Sequence, residues 1–179
     1  DCADRNNNTQ QAAEAYERIV AMGRNEYTPE AVHYLANKAF TEKDYPQALK
    51  LFDQLAQVSD SRALTTQAQA GIMRAAFALG DYNKAAVYAE LILDNETQDA
   101  ELVQVARRIA ALGKVENEEW EEARPLLLQL IANSGGEVKA EAFYNLALVN
   151  NKQKKYERSS ELVYQLIEEL PDYKEWKMK

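Results

Sequence analysis

One spacing of apolar and small residues occurs four times along the chain. In its first copy Tyr45 is followed three residues later by Ala48, seven later by Phe52 and ten later by Leu55. Residues three or four apart share one face of an α-helix, so the spacing predicts a helix that begins at the aromatic residue. The same offsets return in three further sets: Tyr82, Ala85, Ala89 and Ile92; Trp120, Ala123, Leu127 and Leu130; and Tyr156, Ser159, Val163 and Leu166.

The aromatic residues that open these sets, here called anchors, are almost evenly spaced. They are 37, 38 and 36 residues apart (45 to 82, 82 to 120, 120 to 156). A period in this range is typical of a solenoid of helical hairpins. The tenth and ninth residues before each anchor also match, because they are apolar or small: Leu35 and Ala36, Ile72 and Met73, Ala110 and Ala111, Leu146 and Ala147.

These patterns resemble the tetratricopeptide repeat, a hairpin of about 34 residues. The fourth copy, AFYNLALVNNKQKKYERSSELVYQLIEELP, matches over its whole length and carries the closing proline, Pro171. The second copy has the expected Gly80-Asp81-Tyr82 corner, although Met73 replaces the usual small residue. The resemblance implies an all-α fold, a right-handed α-solenoid of antiparallel helix hairpins forming a superhelix.

The repeat pattern divides the chain, and both ends cut through repeats. Residues 1–8 are polar and are expected to be poorly ordered or to form a turn. Because the terminal repeats are incomplete, we expect the sequence to be a piece of a longer array. The predicted division is 9–24 as the second helix of a partial repeat, whole repeats at 29–60, 61–97, 98–135 and 137–171, and 172–179 as the start of a further repeat.

Local signals predict where several helices begin and end. Thr28 is expected to cap a helix with Pro29 in its first turn, and Asp44 is expected to cap the next helix. Pro125 falls inside a predicted helix, so we expect a kink or a late start there. Gly135 and Gly136 are expected to end that helix, and turns are expected at Gly80-Asp81 and at 116–118.

Composition and charge exclude several classes of protein. Apolar residues make up 46% of the chain and charged residues 28%, which is typical of a folded protein. The net charge of -8 argues against nucleic-acid binding, which needs clustered Lys and Arg. We expect no membrane insertion by this segment, because no run approaches the roughly 18 apolar residues of a membrane helix. The single cysteine, Cys2, excludes an internal disulfide and is expected to be a thiol at a frayed terminus.

Candidate catalytic and metal-binding residues are few. His33 is the only histidine and has no obvious nucleophile or acid beside it in the sequence. The acidic run Glu116, Glu118, Glu119, Glu121 and Glu122 lacks the alternating pattern of a calcium loop, and a solvated face explains it better. No Gly-rich phosphate loop is present. We therefore expect no catalysis, no cofactor and no metal.

The family resemblance implies a partner-binding groove lined by the first helix of each hairpin. Its positions lie twelve, eight, five and four residues before the anchor. Arg74 and Arg108 are the preferred candidates because packing alone leaves their charge unexplained, whereas Phe40, Phe77 and Leu112 could equally pack between hairpins. The predicted groove residues are His33, Asn37, Phe40, Arg74, Phe77, Arg108, Leu112, Tyr144, Leu148, Asn151 and Lys152.

Taken together, the sequence predicts a non-catalytic scaffold that binds a peptide or helix of a protein partner in this groove. We expect a monomer or weak end-to-end association. The irregular spacing and acidic composition resemble long repeat proteins of bacterial cell envelopes, which implies a periplasmic or envelope location, or otherwise the cytoplasm. Two alternatives are a ligand- or glycan-binding accessory module of an outer-membrane uptake system and the accessory array of a larger enzyme or sensor.

Overall fold

In a computed structural model, residues 2–95 and 99–178 are described, and every regular element in these two ranges is helical. The side chain of Cys2 and the repeat boundary at Thr97 lie outside the described residues. The α-helices are α1 (Cys2–Ala21), α2 (Thr28–Thr41), α3 (Tyr45–Val58), α4 (Arg62–Ala78), α5 (Tyr82–Asp94), α6 (Ala100–Glu116), α7 (Trp120–Asn133), α8 (Gly136–Lys152) and α9 (Tyr156–Glu169). A 3₁₀ helix, Pro171–Met178, follows α9.

The chain divides into two compact units, Asp1–Asp81 (unit 1) and Tyr82–Lys179 (unit 2). In unit 1, α2 packs on α1 and α3, and α4 packs on α3 and α2. In unit 2, each helix from α5 to α9 packs on the next, α6 also contacts α8, and the 3₁₀ helix contacts α8 and α9. The division falls at the corner of the second predicted repeat, so the two helices of that repeat belong to different units.

The recurring small and branched residues form the buried face of the second helices. Ala48, Ala85 and Ala123, three residues after their anchors, are fully buried, and so are the residues ten after the anchors: Leu55, Ile92, Leu130 and Leu166. Small side chains let the partner helix approach closely, and branched ones fill the remaining space. Ser159 occupies the small position in α9, where its hydroxyl donates to the carbonyl oxygen of Ala147 at 2.9 Å. The helices predicted from the spacing are therefore confirmed.

The four hairpin corners share one backbone conformation. The residue two before each anchor has a positive φ: 63° at Lys43, 78° at Gly80, 60° at Glu118 and 62° at Lys154. At each corner the next residue donates its N–H to the carbonyl six residues before the anchor, as Asp44 does to Ala39 at 2.9 Å. This pair of features is the Schellman ending of a helix. Glycine occupies the left-handed position at only one of the four corners.

The start of α2 differs from the prediction, whereas the start of α3 agrees with it. Thr28 is the first residue of α2, and no side chain caps the helix. The Thr28 hydroxyl instead accepts from the N–H of Asn25 and donates to the carbonyl of Gly23, both at 2.9 Å. The capping prediction is wrong because Thr28 closes the turn between α1 and α2. Asp44 does cap α3, accepting from the N–H of Gln47 at 3.2 Å.

Three further sequence predictions are corrected. Helix α1 begins at Cys2, so residues 2–8 are helical rather than a turn, since asparagine only weakly disfavours a helix. Helix α7 begins at Trp120 and continues through Pro125, so the late start is wrong. The N–H that Pro125 lacks would have bonded the carbonyl of Glu121, an exposed residue in the first turn. Gly135 and Gly136 do not end α7, which stops at Asn133, but begin α8.

Candidate partner-binding site

Two predicted groove residues of unit 1, His33 and Asn37, line the same surface hollow. The hollow, here called hollow 1, has a volume of about 530 Å³ and lies between α1 and α2. Phe40 does not line it, because its ring packs edge-on against Tyr45 with centroids 5.4 Å apart. The residues lining hollow 1 are Tyr16, Glu30, His33, Tyr34, Asn37, Lys38, Thr41 and Glu42.

Aromatic rings and charges define the chemistry of hollow 1. The rings of Tyr16 and Tyr34 lie 4.4 Å apart between centroids with an interplanar angle of 33°. The ammonium of Lys38 lies 2.8 Å from both carboxylate oxygens of Glu42, so these two charges cancel. Partial burial lowers the pKa of His33, although the charge of Glu30 opposes this shift. The lowered pKa favours the neutral form of His33, and the carboxylate of Glu30 adds a negative charge to the hollow.

Three predicted groove residues of unit 2, Tyr144, Leu148 and Asn151, line a second hollow. This hollow, here called hollow 2, has a volume of about 200 Å³ between α8, α9 and the 3₁₀ helix. The rings of Tyr144 and Trp176 are 5.8 Å apart between centroids. Lys152 is exposed and lies outside it. The remaining lining residues are mostly apolar: Phe143, Ala147, Ser159, Val163, Leu166 and Trp176.

Arg108 is held in an ion pair rather than presented to solvent. Its guanidinium donates to the two carboxylate oxygens of Glu141 at 2.5 and 3.0 Å, joining α6 to α8. The hydrogen bond to this carboxylate raises the pKa of Arg108 above its usual value. The reason for preferring Arg108 as a binding residue is therefore wrong, because Glu141 explains its charge. Its role in binding stays a prediction.

The other predicted groove residues line neither hollow. Arg74 is exposed on α4, while Phe77 and Leu112 are half-buried on α4 and α6. Thus two predicted residues of the first anchored hairpin line hollow 1, three of the fourth line hollow 2, and those of the two middle hairpins line neither.

A family model decides the classification of the chain. The tetratricopeptide repeat model matches residues 3–63 and 110–174, which together cover more than half of the sequence. The chain belongs to the tetratricopeptide repeat family. No curated protein matches it in sequence.

Solved structures with tetratricopeptide repeats are similar along most of the chain. MamA from Desulfovibrio magneticus RS-1, residues 41 to the end, has a TM-score of 0.63 and 12% identity, covering 89% of this chain and 93% of MamA. A MamA RS-1 double mutant has a TM-score of 0.66 and 14% identity, with coverages of 92% and 86%. The TPR-like repeats of a Podosopora anserina kinesin light chain have a TM-score of 0.60 and 19% identity, with coverages of 90% and 87%. Identities this low establish the fold alone, and the predicted all-α solenoid of helix hairpins is confirmed.

Sequence reasoning missed several residues that shape the two hollows of this tetratricopeptide chain. Tyr16 and Tyr34 form the aromatic part of hollow 1, and Trp176 closes one side of hollow 2. Tyr16 occupies the offset of Phe52 in the partial repeat, which marked it as a packing residue rather than a binding one. The groove positions were taken from the first helix of each hairpin. No sequence signal therefore pointed to side chains from α1 or from the 3₁₀ helix.

The described residues provide neither a metal-binding cluster nor a membrane-spanning helix. Within the part of the chain whose side chains the structure describes, no group of three or more His, Cys, Asp and Glu is placed to hold a metal ion. The acidic run at the α6–α7 corner instead contributes single contacts, such as Glu119 to the ammonium of Lys114 at 2.6 Å. In the same part of the chain, no helix has both the length and the apolar character that crossing a bilayer requires.

Proposed function

We propose that this chain is a non-catalytic scaffold that binds a peptide or helix of a partner protein, with hollow 2 as a contact site. The tetratricopeptide fold is in general a protein-interaction fold, so family membership supports protein binding in general. The finer assignment rests on one observation, the convergence of Tyr144, Leu148 and Asn151 on a single hollow with Trp176.

The size and lining of hollow 2 favour a side chain of a peptide as its occupant. Small-molecule sites usually have volumes of about 300–1,000 Å³, whereas hollow 2 has about 200 Å³. Tyr and Trp are frequent hot-spot residues because they bury a large area and still offer a polar atom. The amide of Asn151 at the exposed end of α8 can both donate to and accept from an extended peptide backbone. An apolar residue in the hollow with its backbone along α8 fits this arrangement.

Peptide selection with a matched pair of variants tests the proposal. Peptides selected against the purified chain from a random display library would be measured by fluorescence polarisation. Leu148→Arg places a charge in hollow 2 and is expected to weaken binding at least about tenfold, since burying an uncompensated charge is costly. Leu128→Arg is the control, because Leu128 is half exposed on α7 and outside the hollow. Circular dichroism confirms that both variants fold.

The outcomes distinguish hollow 2 from other surfaces. Equal loss in both variants, or none in either, would contradict binding in hollow 2. Failure to select any peptide that binds saturably would contradict the scaffold proposal as a whole. Sedimentation of the free chain is expected to show a monomer, and stable end-to-end oligomers would mean that the terminal helices bind each other instead.

A cell-envelope location is a further part of the proposal. Its support is the acidic composition and the irregular 36–38 residue spacing, which resemble envelope repeat proteins. Fractionating the source cell and detecting the protein with an antibody against this chain tests it. Recovery with periplasmic or envelope markers is expected, and recovery with cytosolic markers alone would contradict the location without affecting the binding proposal.

A further inference from the structure

We infer that hollow 1 binds the side chain of an arginine or lysine in a basic segment of the partner. This inference rests on the proposed function, because it specifies the chemistry of the partner that the scaffold would hold. Three properties of hollow 1 lead to it: its tyrosine pair, its net charge, and the direction in which its polar groups are already hydrogen-bonded.

The tyrosine pair provides the surface on which a cationic side chain packs. Tyr16 from α1 and Tyr34 from α2 are half-buried neighbours with ring centroids 4.4 Å apart. Their position is fixed by contacts between the two helices, so little side-chain freedom remains to be lost on binding. The face of an aromatic ring attracts a guanidinium or ammonium group, and its apolar area covers the aliphatic stem of Arg or Lys.

The charges around the tyrosine pair favour a cation. Lys38 is paired with Glu42 at 2.8 Å, and these two charges cancel. Partial burial lowers the pKa of His33, which favours its neutral form. The carboxylate of Glu30 therefore sets the charge of the hollow. The chain as a whole carries a net charge of -8, which attracts a basic partner over longer distances.

The two polar side chains on α2 offer acceptor oxygens to the hollow. The Asn37 amide nitrogen donates to the carbonyl of His33 at 3.0 Å, and the Thr41 hydroxyl donates to the carbonyl of Asn37 at 2.9 Å. Their oxygen lone pairs remain to accept hydrogen bonds. Arg and Lys side chains contain donors and no acceptors, so they complement this arrangement.

The test compares an arginine peptide with its neutral analogue. An acetylated, amidated Gly-Arg-Gly-Arg-Gly peptide is titrated into the full chain and followed by NMR shifts of α1 and α2. The control peptide replaces each arginine by citrulline, which keeps the shape and removes the charge. Saturable shifts with the arginine peptide and about tenfold weaker binding of the citrulline peptide are expected. Equal binding of the two peptides would overturn the inference.

Two substitutions locate the interaction. Glu30→Gln removes the carboxylate and is expected to weaken arginine-peptide binding about three- to tenfold, an effect that salt reduces. Glu26→Gln is the matched control, since Glu26 is exposed in the preceding turn and does not line hollow 1. Tyr16→Leu keeps an apolar residue at the ring position and is expected to weaken binding by a similar factor. An unchanged affinity in Glu30→Gln and Tyr16→Leu would place binding elsewhere.

The outcomes separate failure of this inference from failure of the proposed function. If the arginine and citrulline peptides bind equally while selected peptides still depend on Leu148, hollow 1 is not a cation site and the scaffold proposal stands. A glycan is the competing occupant, because sugars also stack on tyrosine rings. Saturable binding of chitotriose that Tyr16→Leu abolishes and Glu30→Gln leaves unchanged would assign hollow 1 to a sugar and overturn the inference.

Discussion

The two units have different residues at equivalent repeat positions, and different kinds of contact hold their neighbouring helices together. In unit 1 the ring of Phe52 on α3 packs flat against the backbone of Gly71 on α4, where an added Cβ would overlap the ring carbons. In unit 2 the equivalent position on α8 is Asn145, whose amide donates to the carbonyl of Glu141 in the same helix at 2.8 Å. The same repeat position is thus a glycine beneath an aromatic ring in one unit and an asparagine in the other.

The comparison teaches that the repeat pattern does not fix which residue occupies this position. Unit 2 also links its helices through polar pairs, because Glu141 binds Arg108 of α6 and the Arg124 guanidinium donates to the side-chain oxygen of Gln153 at 2.7 Å. Apolar packing is insensitive to salt, whereas salt weakens an ion pair. Removing one partner of a buried ion pair leaves the other charge uncompensated. In the same hairpin fold, neighbouring helices can therefore be held together by apolar contacts or by polar ones.

The largest expected effect comes from Phe52. Phe52→Ala removes a ring that is almost completely buried and should lower the free energy of unfolding of unit 1 by about 3–5 kcal/mol. Gly71→Ala should cost about 1–3 kcal/mol, because overlap with the ring outweighs the better helix propensity of alanine. Urea unfolding followed by circular dichroism measures both changes.

A double variant and a local probe test whether Phe52 and Gly71 share one contact. In the double variant Phe52→Leu with Gly71→Ala, the smaller side chain makes room for the new methyl group, so the cost should be less than the sum of the single changes. Both tryptophans lie in unit 2, and their fluorescence therefore serves as an internal control. Additive costs in the double variant would show that the two residues do not share one contact.

An intermediate effect is expected from the ion pair of unit 2. Arg108→Met removes the partner of Glu141, whose carboxylate is only about one tenth exposed, and should destabilise unit 2 by about 1–3 kcal/mol. The estimate is below that for a fully buried pair because about a third of the Arg108 side chain reaches solvent. Tryptophan fluorescence during urea unfolding measures it. Restored stability in Arg108→Met with Glu141→Leu would confirm the pairing, and a further loss would contradict it.

A smaller effect, of opposite sign, is expected at the hairpin corners. Lys154 and Glu118 adopt the left-handed conformation that Gly80 adopts at the equivalent corner of the second repeat. Replacing either by glycine should stabilise the chain by about 0.5–1.5 kcal/mol, because a Cβ is unfavourable in this conformation. Thermal unfolding measures the gain. Lys154→Ala is the control and should give no such gain, since alanine keeps the Cβ.

The sequence predicted the helices well because their signals are local and repeated. The anchor spacing located α3, α5, α7 and α9, and the corner at Gly80 was recognisable from a single glycine. The corners at Lys43 and Lys154 carry no glycine, yet the same hydrogen bonds form there because packing of the two helices determines the turn. The start of α2 was misjudged because Thr28 bonds to the preceding turn rather than to its own helix.

The candidate site was only partly predictable, for a physical reason. Register identifies which residues of one helix share a face, and Tyr144, Leu148 and Asn151, which share a face of α8, line one hollow. It contains no information on side chains that arrive from another element, such as Trp176, or on a charge partner 33 residues away, as Glu141 is from Arg108. Such contacts depend on the packing of particular side chains, which a repeat pattern does not encode.

The smallest expected effect is the contribution of His33 to the pH dependence of unit 1. Since its pKa is lowered in the folded chain, the unfolded chain binds more protons between that lowered value and the ordinary value of about 6.5. The free energy of unfolding should therefore fall as the pH decreases through this window. His33→Gln should remove this component, and because His33 is the only histidine, its NMR titration gives the pKa directly.

The same titration bears on the difference between the two hollows. The charged groups that line hollow 1 with His33 are Glu30, Lys38 and Glu42. Protonating His33 adds a positive charge to hollow 1 alone, so lowering the pH from about 7.5 to 5.5 should weaken arginine-peptide binding there. Binding of an uncharged peptide in hollow 2 should not change. An equal loss in both hollows would show that acid acts on the fold rather than on the charge of hollow 1, and an equal loss with His33→Gln would attribute it to other groups.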